Sequence, residues 1–271
     1  MKSDLPLPLQ QHPIFAAALK RMGRQVSFVD VPGAAPVLTV QQFGQRMTSR
    51  GPVWHEDKQQ GALQHAGLRM INADTPQDAA LQAAGFRRLM TNAYVAELDL
   101  TTTATQRCQA MKPKWRNAWR AAQSAPLFLA EQRFNLNTHA WLLHADIAQQ
   151  RSKQFRGLPH DLIMAYAAEN PRAVRVLVAY DGDTPVAGML FLLHAPVATY
   201  HIGWTNTQGR ALSAHHKMII QAAEQFAARG YQRLDLGLVD TDTTPGLARF
   251  KIGTGARVRP LGGTWLRFPG C

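Results

Sequence analysis

Lys251 lies in the stretch GLARFKIGTGA, residues 246–256, directly after Phe250 and framed by Gly246, Gly253, Gly255 and, farther on, Gly262. Neither a packed core nor a solvated helix calls for a single cation on a glycine-rich segment. Glycines let one backbone approach another group closely, so a lysine held there can face a group that gathers negative charge. It can equally cap the last carbonyls of a short helix. His201, mid-strand in TYHIGW, is a candidate proton acceptor, although a strand histidine can also be an ordinary core residue. Tyr200 and Trp204 alternate with it, and Asp235 and Asp240 lie at the end of the next strand candidate, YQRLDLGLVD. His215 and His216 are adjacent on a helical stretch and cannot share a face, so no metal site is expected.

Positive charge gathers elsewhere too. In TTTATQRCQAMKPKWRNAWRAAQSAP, Cys108, Met111, Trp115, Trp119 and Ala122 fall on one helical face and Lys112, Arg116 and Arg120 on another. No acid lies between Asp99 and Glu131. The basic face is either solvated or one wall of a groove for a phosphate-bearing substrate. Arg151 and Arg156, in QQRSKQFRG, could hold an acidic acceptor or simply face water.

The whole chain of 271 residues carries a formal charge of +12, with 22 Arg against 8 Lys. That balance favours polyanionic partners such as phosphates, CoA, nucleotide sugars or RNA. A GC-rich coding sequence would produce the same arginine excess. The opening MKSDLPLPLQQHPIF has an early acid and no apolar run of the kind that exports proteins. No run approaches the ~20 apolar residues of a membrane span, so a cytoplasmic location is the expectation. Cys108 and Cys271 have neither metal spacing nor a disulfide framework.

The elements that must position these residues are legible as patterns. HPIFAAALKRMG reads as a helix closed by Gly23, and RQVSFVDV with APVLTVQQFG as a hairpin round PGA. RGPVWHE is a short strand candidate, DKQQGALQHAG and TPQDAALQAAG are helices, and NAYVAELDL is a strand. The second half predicts two helices, a hairpin turning at Asp181-Gly182, a third strand VATYHIGWT and a long helix ending at Gly230. A buried strand, the short helix of GLARFKIG and one final strand, RVRPLGGTWLRF, complete it.

That order, with ARGYQRLDLGLVD, GLARFKIGTGA and GGTW, resembles the Fem-type branch of the GNAT acyltransferase superfamily. PKWRNAWRAAQSAPLFLAE resembles the stretch where Fem-type proteins carry spaced arginines, and RGPVW and AAGFRRLMTNAYVAELDL fit their first domain. The resemblance implies an α/β (α+β) chain of tandem GNAT-like domains with mixed, mostly antiparallel sheets. Residues 1–125 would form a degenerate first domain and residues 126–271 the catalytic one.

It also implies N-acyl transfer from acyl-CoA (acetyl-CoA) or aminoacyl-tRNA to a small-molecule or peptide amine, with tRNA a partner in the second case. Lys251 would then bind substrate and stabilise the oxyanion of the tetrahedral intermediate, with Phe250 anchoring the segment. His201 and Asp235 would serve the proton transfers, and the two strands bearing them would flank a cleft. Asn206, Gly209, Arg210 and Ala211, in NTQGRA, partly match the loop that grips the pyrophosphate of CoA. Tyr200, Trp204, Arg116, Arg120, Arg151 and Arg156 would contact substrate. The chain is short for bridge-forming Fem enzymes and lacks the helical arm some of them use. A noncatalytic RNA- or phosphate-binding protein on the same scaffold is the alternative, although only WRNAWR interleaves bases with aromatics.

Overall fold

The computed structural model describes residues 5–55, 63–153 and 157–268. In chain order the first elements are α1 (Pro13–Arg21), β1 (Gln25–Val29), β2 (Val37–Gln42), β3 (Gln45–Ser49), β4 (Met70–Ala73), α2 (Asp78–Ala83) and β5 (Phe86–Met90). There follow β6 (Tyr94–Asp99), α3 (Ala104–Ala110), α4 (Pro113–Gln123), β7 (Leu127–Arg133), α5 (Leu136–Lys153) and α6 (His160–Glu169). The antiparallel run β8 (Val174–Asp181), β9 (Thr184–His194) and β10 (Val197–Thr205) leads to α7 (Thr207–Ala211) and α8 (Ala214–Ala228). The last elements are β11 (Arg233–Val239), α9 (Pro245–Gly253), β12 (Arg257–Pro260) and β13 (Gly263–Arg267).

The chain divides into two compact units, residues 1–95 with 259–271, and residues 96–258. The boundary expected between residues 125 and 126 falls inside the second unit, between α4 and β7. α4 packs there on α8 and α9, which holds the α3–α4 segment in that unit.

The first unit has a six-stranded sheet in the order β1-β2-β3-β4-β13-β5. Its core joins Val37, Ile71, Leu81 and Phe86 to Trp265, which arrives from the far end of the chain and is 1% exposed. Burying an indole of that size contributes several kcal/mol. Asp74 adds a buried ionic tie, accepting from Arg50 Nε at 2.5 Å and Arg259 Nη2 at 3.0 Å.

The stretch RVRPLGGTWLRF is therefore two strands, not one. Leu261 and Gly262 separate them, Gly263 opens the second with φ +80°, and a side chain at Gly262 would overlap the carbonyl of Thr75. Two smaller differences are local, and one expected helix lies largely outside the described residues. RGPVWHE contributes an isolated bridge between Ala34 and Trp54, with residues 56–62 outside the described set. DKQQGALQHAG lies largely in those residues, and Leu63–His65 form a 3-10 turn. The second helix begins at Asp78 rather than at Thr75.

The second unit is built on a seven-stranded sheet in the order β12-β6-β11-β10-β9-β8-β7. β8, β9 and β10 form the antiparallel meander read from the sequence, turning at Gly182 with φ +58°. The helix spanning Lys112 breaks in two. Met111 takes an extended conformation, Lys112 caps α4, and Pro113 sits at its first turn, where proline needs no N–H partner. α8 buries Met218, Ile219, Ala222, Ala223 and Phe226, the stripe its 3.6-residue period predicts.

Candidate functional site

β10 and β11 run parallel in the second sheet, and they pair over Val197–Thr199 and Arg233–Asp235. Beyond Thr199 and Asp235 the two strands are no longer paired with each other.

His201 lies just beyond that point. Tyr200 pairs with Phe191 and Ile202 with Leu190, so His201 is the extra residue of a β-bulge. Bulges re-aim a side chain and raise the local twist. The imidazole Nε2 is shut off from water and has no hydrogen-bond partner among the described residues. Burial pushes its pKa down to about 4, with Asp146 pulling upward and His160 downward, so the ring is neutral at physiological pH.

Asp146 on α5 is buried, and it accepts from His160 Nε2 at 2.9 Å and Gln150 Nε2 at 2.6 Å. The Asp146–His160 pair has no signature in the sequence, because its members come from separate helices and meet only through packing. Tyr200 turns its hydroxyl over Gly203, where a Cβ would collide with it. Burial and the Asp146 charge hold that phenol protonated. Trp204 packs edge-on against Trp141 with ring centroids 5.3 Å apart, and His215 Nε2 donates to the Trp204 carbonyl at 2.8 Å.

Lys251 approaches from α9. The side chain is buried, and its Nζ donates to the carbonyl of Leu238 on β11 at 2.7 Å. Gly237, with φ +78°, lies beside the ammonium: a Cβ there would be 3.7 Å from Nζ. Burial lowers the lysine pKa to about 8, and the charge of Asp235 works against that fall. Asp235 is buried and accepts from the Gly237 N–H at 2.8 Å. The lysine does not cap its own helix. Thr254 Oγ1 donates to the Lys251 carbonyl at 2.7 Å instead. Phe250, beside it, packs against Trp115, His215 and His216 at centroid distances of 6.0, 5.9 and 5.6 Å.

Gly253 and Gly255, on the C-terminal side of Lys251, serve packing. A Cβ on Gly253 would overlap the Trp115 ring, and one on Gly255 would come within 2.7 Å of the Ala110 backbone. Lys112 N donates to Gly253 O at 3.0 Å. The close neighbour is thus the α3–α4 junction.

NTQGRA is a helical turn rather than an open loop. Asn206 caps α7 by accepting from Gly209 N at 2.8 Å, and Arg210 N donates to Asn206 O at 3.1 Å. Gly209 is required because a Cβ would overlap Val186 O, and Arg210 Nη1 donates to Thr205 O at 3.0 Å. Ala211 closes the turn. The Gly209 and Arg210 amides are thus bonded inside the turn.

The arginines divide. Arg116 and Arg120 line one cleft with Trp119 between α3, α4 and α8. Cys108, Met111 and Trp119, expected on a different helical face from the arginines, line it as well, and the helix is broken at Lys112 between α3 and α4. Arg151 is exposed on α5, and Arg156 lies outside the described residues.

The profile of the Acetyltransferase (GNAT) domain matches residues 110–251, just over half the chain and ending on Lys251. No curated protein sequence matches the chain. Among solved structures, FemX is similar with a TM-score of 0.71 at 13% identity, over 95% of this chain and 93% of that one. L-PGS from Bacillus licheniformis is similar with a TM-score of 0.58 at 12% identity, over 96% of this chain and 93% of that one. These likenesses span nearly the whole chain, so the fold is the tandem, Fem-like form of the GNAT architecture. With its β10–β11 pair inside the matched segment, the chain belongs to the GNAT acetyltransferase domain family.

Proposed function

We propose that the protein is an N-acyltransferase that moves an acyl or aminoacyl group from acyl-CoA or aminoacyl-tRNA to an amine. The observation that carries this reading is the buried Lys251 ammonium, held against β11 just past the point where β10 leaves it.

Attack of a neutral amine on the donor carbonyl forms the C–N bond and places negative charge on the carbonyl oxygen. A cation already removed from water stabilises that charge with little reorganisation, and losing one such donor costs about 3–4 kcal/mol in the transition state. Collapse of the intermediate expels the CoA thiolate or the ribose oxygen of the tRNA. The ammonium proton needs an acceptor, and the buried, neutral His201 Nε2 supplies one. Asp146 and His160, hydrogen-bonded to each other, act on the His201 ring electrostatically. Asp235 sustains the charge on Lys251, while Tyr200, Trp204 and Phe250 shape the surroundings.

The closed NTQGRA turn favours aminoacyl-tRNA over acyl-CoA as donor, since its Gly209 and Arg210 amides are not offered to a pyrophosphate. A small-molecule or peptide amine as acceptor fits either donor. The basic α3–α4 surface supports the second reading, a noncatalytic RNA- or phosphate-binding protein. Thermal shift with acetyl-CoA, CoA and total aminoacyl-tRNA tests donor and class together, because a ligand that binds only the native state raises its stability. Stabilisation by aminoacyl-tRNA beyond that by deacylated tRNA is expected. Equal stabilisation by charged and uncharged tRNA, with no turnover, would favour the noncatalytic reading.

A further inference from the structure

A cleft of about 350 Å³ lies between α3, α4 and α8, floored by Met111 and Ile220 and walled by Arg116, Trp119, Arg120 and Glu224. It is separate from the end of the β10–β11 pairing. Ile220 and Glu224 lie six and ten residues past the first residue of α8, about 9 and 15 Å down the helix axis from the end that follows β10.

Its lining joins cationic donors to apolar side chains. Arg116 Nε and Trp119 Nε1 are closed off from water, with no hydrogen-bond partner among the described residues, and so lie behind the wall of the cleft rather than on its open surface. Arg120 stands one turn beyond Arg116 on the same helix, and neither forms an ion pair among the described residues. Arg107 closes the wall with its guanidinium already tied to the carbonyls of Thr102 and Leu100. The α3–α4 stretch brings no acid of its own, and Glu224 is the one carboxylate lining the cleft among the described residues.

We propose that this cleft binds a nucleotide: its phosphate on Arg116 and Arg120, its base against Trp119, Met111 and Ile220, and the exocyclic amine of the base on Glu224. Guanidinium donors match phosphate oxygens, an indole beside aliphatic side chains makes an apolar wall for a planar ring, and an ionised carboxylate accepts only from N–H or O–H groups. The volume lies at the small end of ligand pockets, suited to one nucleotide rather than a chain. The site goes beyond the transfer reading and does not need it, since binding can be measured without turnover.

Cys108 lines the same cleft and serves as a reporter. The test measures alkylation of Cys108 by iodoacetamide, mapped by mass spectrometry, and binding by calorimetry, with AMP, UMP, inorganic phosphate and a short oligoadenylate. AMP is expected to protect Cys108 and to bind more tightly than UMP, which has no exocyclic amine. Arg116→Gln with Arg120→Gln should weaken AMP about tenfold or more, and Glu224→Gln should narrow the gap between AMP and UMP. Oligoadenylate binding as well as AMP identifies the nucleotide as part of a chain, and AMP alone identifies a free one. AMP binding that is no tighter than inorganic phosphate, or that leaves Cys108 fully reactive, would overturn the proposal. Should the double arginine variant unfold, protection of Cys108 in the Glu224→Gln variant decides the matter in the same way.

Discussion

Gly253 stands so close to the indole of Trp115 that a methyl group on its Cα would overlap the ring. This pair locks α9, which carries Lys251, onto α4, and Phe250 extends the contact to α8 through His216. The segment's glycine content therefore fixes the lysine from behind.

Gly253→Ala is expected to destabilise the protein by about 1–3 kcal/mol through overpacking, read as a lower urea midpoint. Trp115→Leu in the same chain should recover part of that loss, since contacting residues are not additive. Additive destabilisation in the double variant would contradict the contact.

Most single elements were legible because their hydrophobic period is strong, as in α8 and the β8–β9–β10 meander. What was hidden depends on partners distant in the chain. The role of Gly253 needed Trp115, and the split of RVRPLGGTWLRF needed a second sheet for Trp265 to complete. The bulge that makes His201 the extra residue has no sequence signal, because TYHIGW alternates like any strand. Lys251 was visible by its setting alone. Its tether, the Leu238 carbonyl, belongs to the strand before it.

His201 should sensitise the fold to acid. Its pKa is about 4 when folded, against the ordinary 6.5 of a solvated histidine, so between those limits the unfolded chain holds a proton that the folded one lacks. Stability then falls as pH drops through that window, by roughly 3 kcal/mol for the full shift. His139 and His216, also lowered by burial, act in the same direction. His201→Asn is expected to move the acid-unfolding midpoint to lower pH while reducing turnover. An unchanged midpoint would show that the imidazole is not held neutral.

Asp235 should be visible in the alkaline limb of the pH–rate profile. Activity that needs a charged Lys251 declines above about pH 8, and the charge of Asp235 helps to keep that pKa up. Asp235→Asn keeps an oxygen for the Gly237 N–H yet removes the charge, so the alkaline limb is expected at lower pH. A limb that stays in place would detach Asp235 from the lysine's titration.

Lys251→Met offers the most direct measurement, because kinetics and stability should part company. Burial lowers the lysine from 10.5 to about 8, so at neutral pH the folded state carries a charge it disfavours by on the order of 3 kcal/mol. Stability of the wild type should accordingly rise with pH between about 8 and 10.5, where the unfolded chain alone keeps the proton. The methionine variant loses the bond to Leu238 and also that cost. It should melt no lower than the wild type at pH 7, while kcat/KM for acyl transfer falls by about a hundredfold to a thousandfold. A folded Lys251→Met protein that transfers acyl groups at the wild-type rate would contradict the claim that this buried ammonium stabilises the reaction's negative charge.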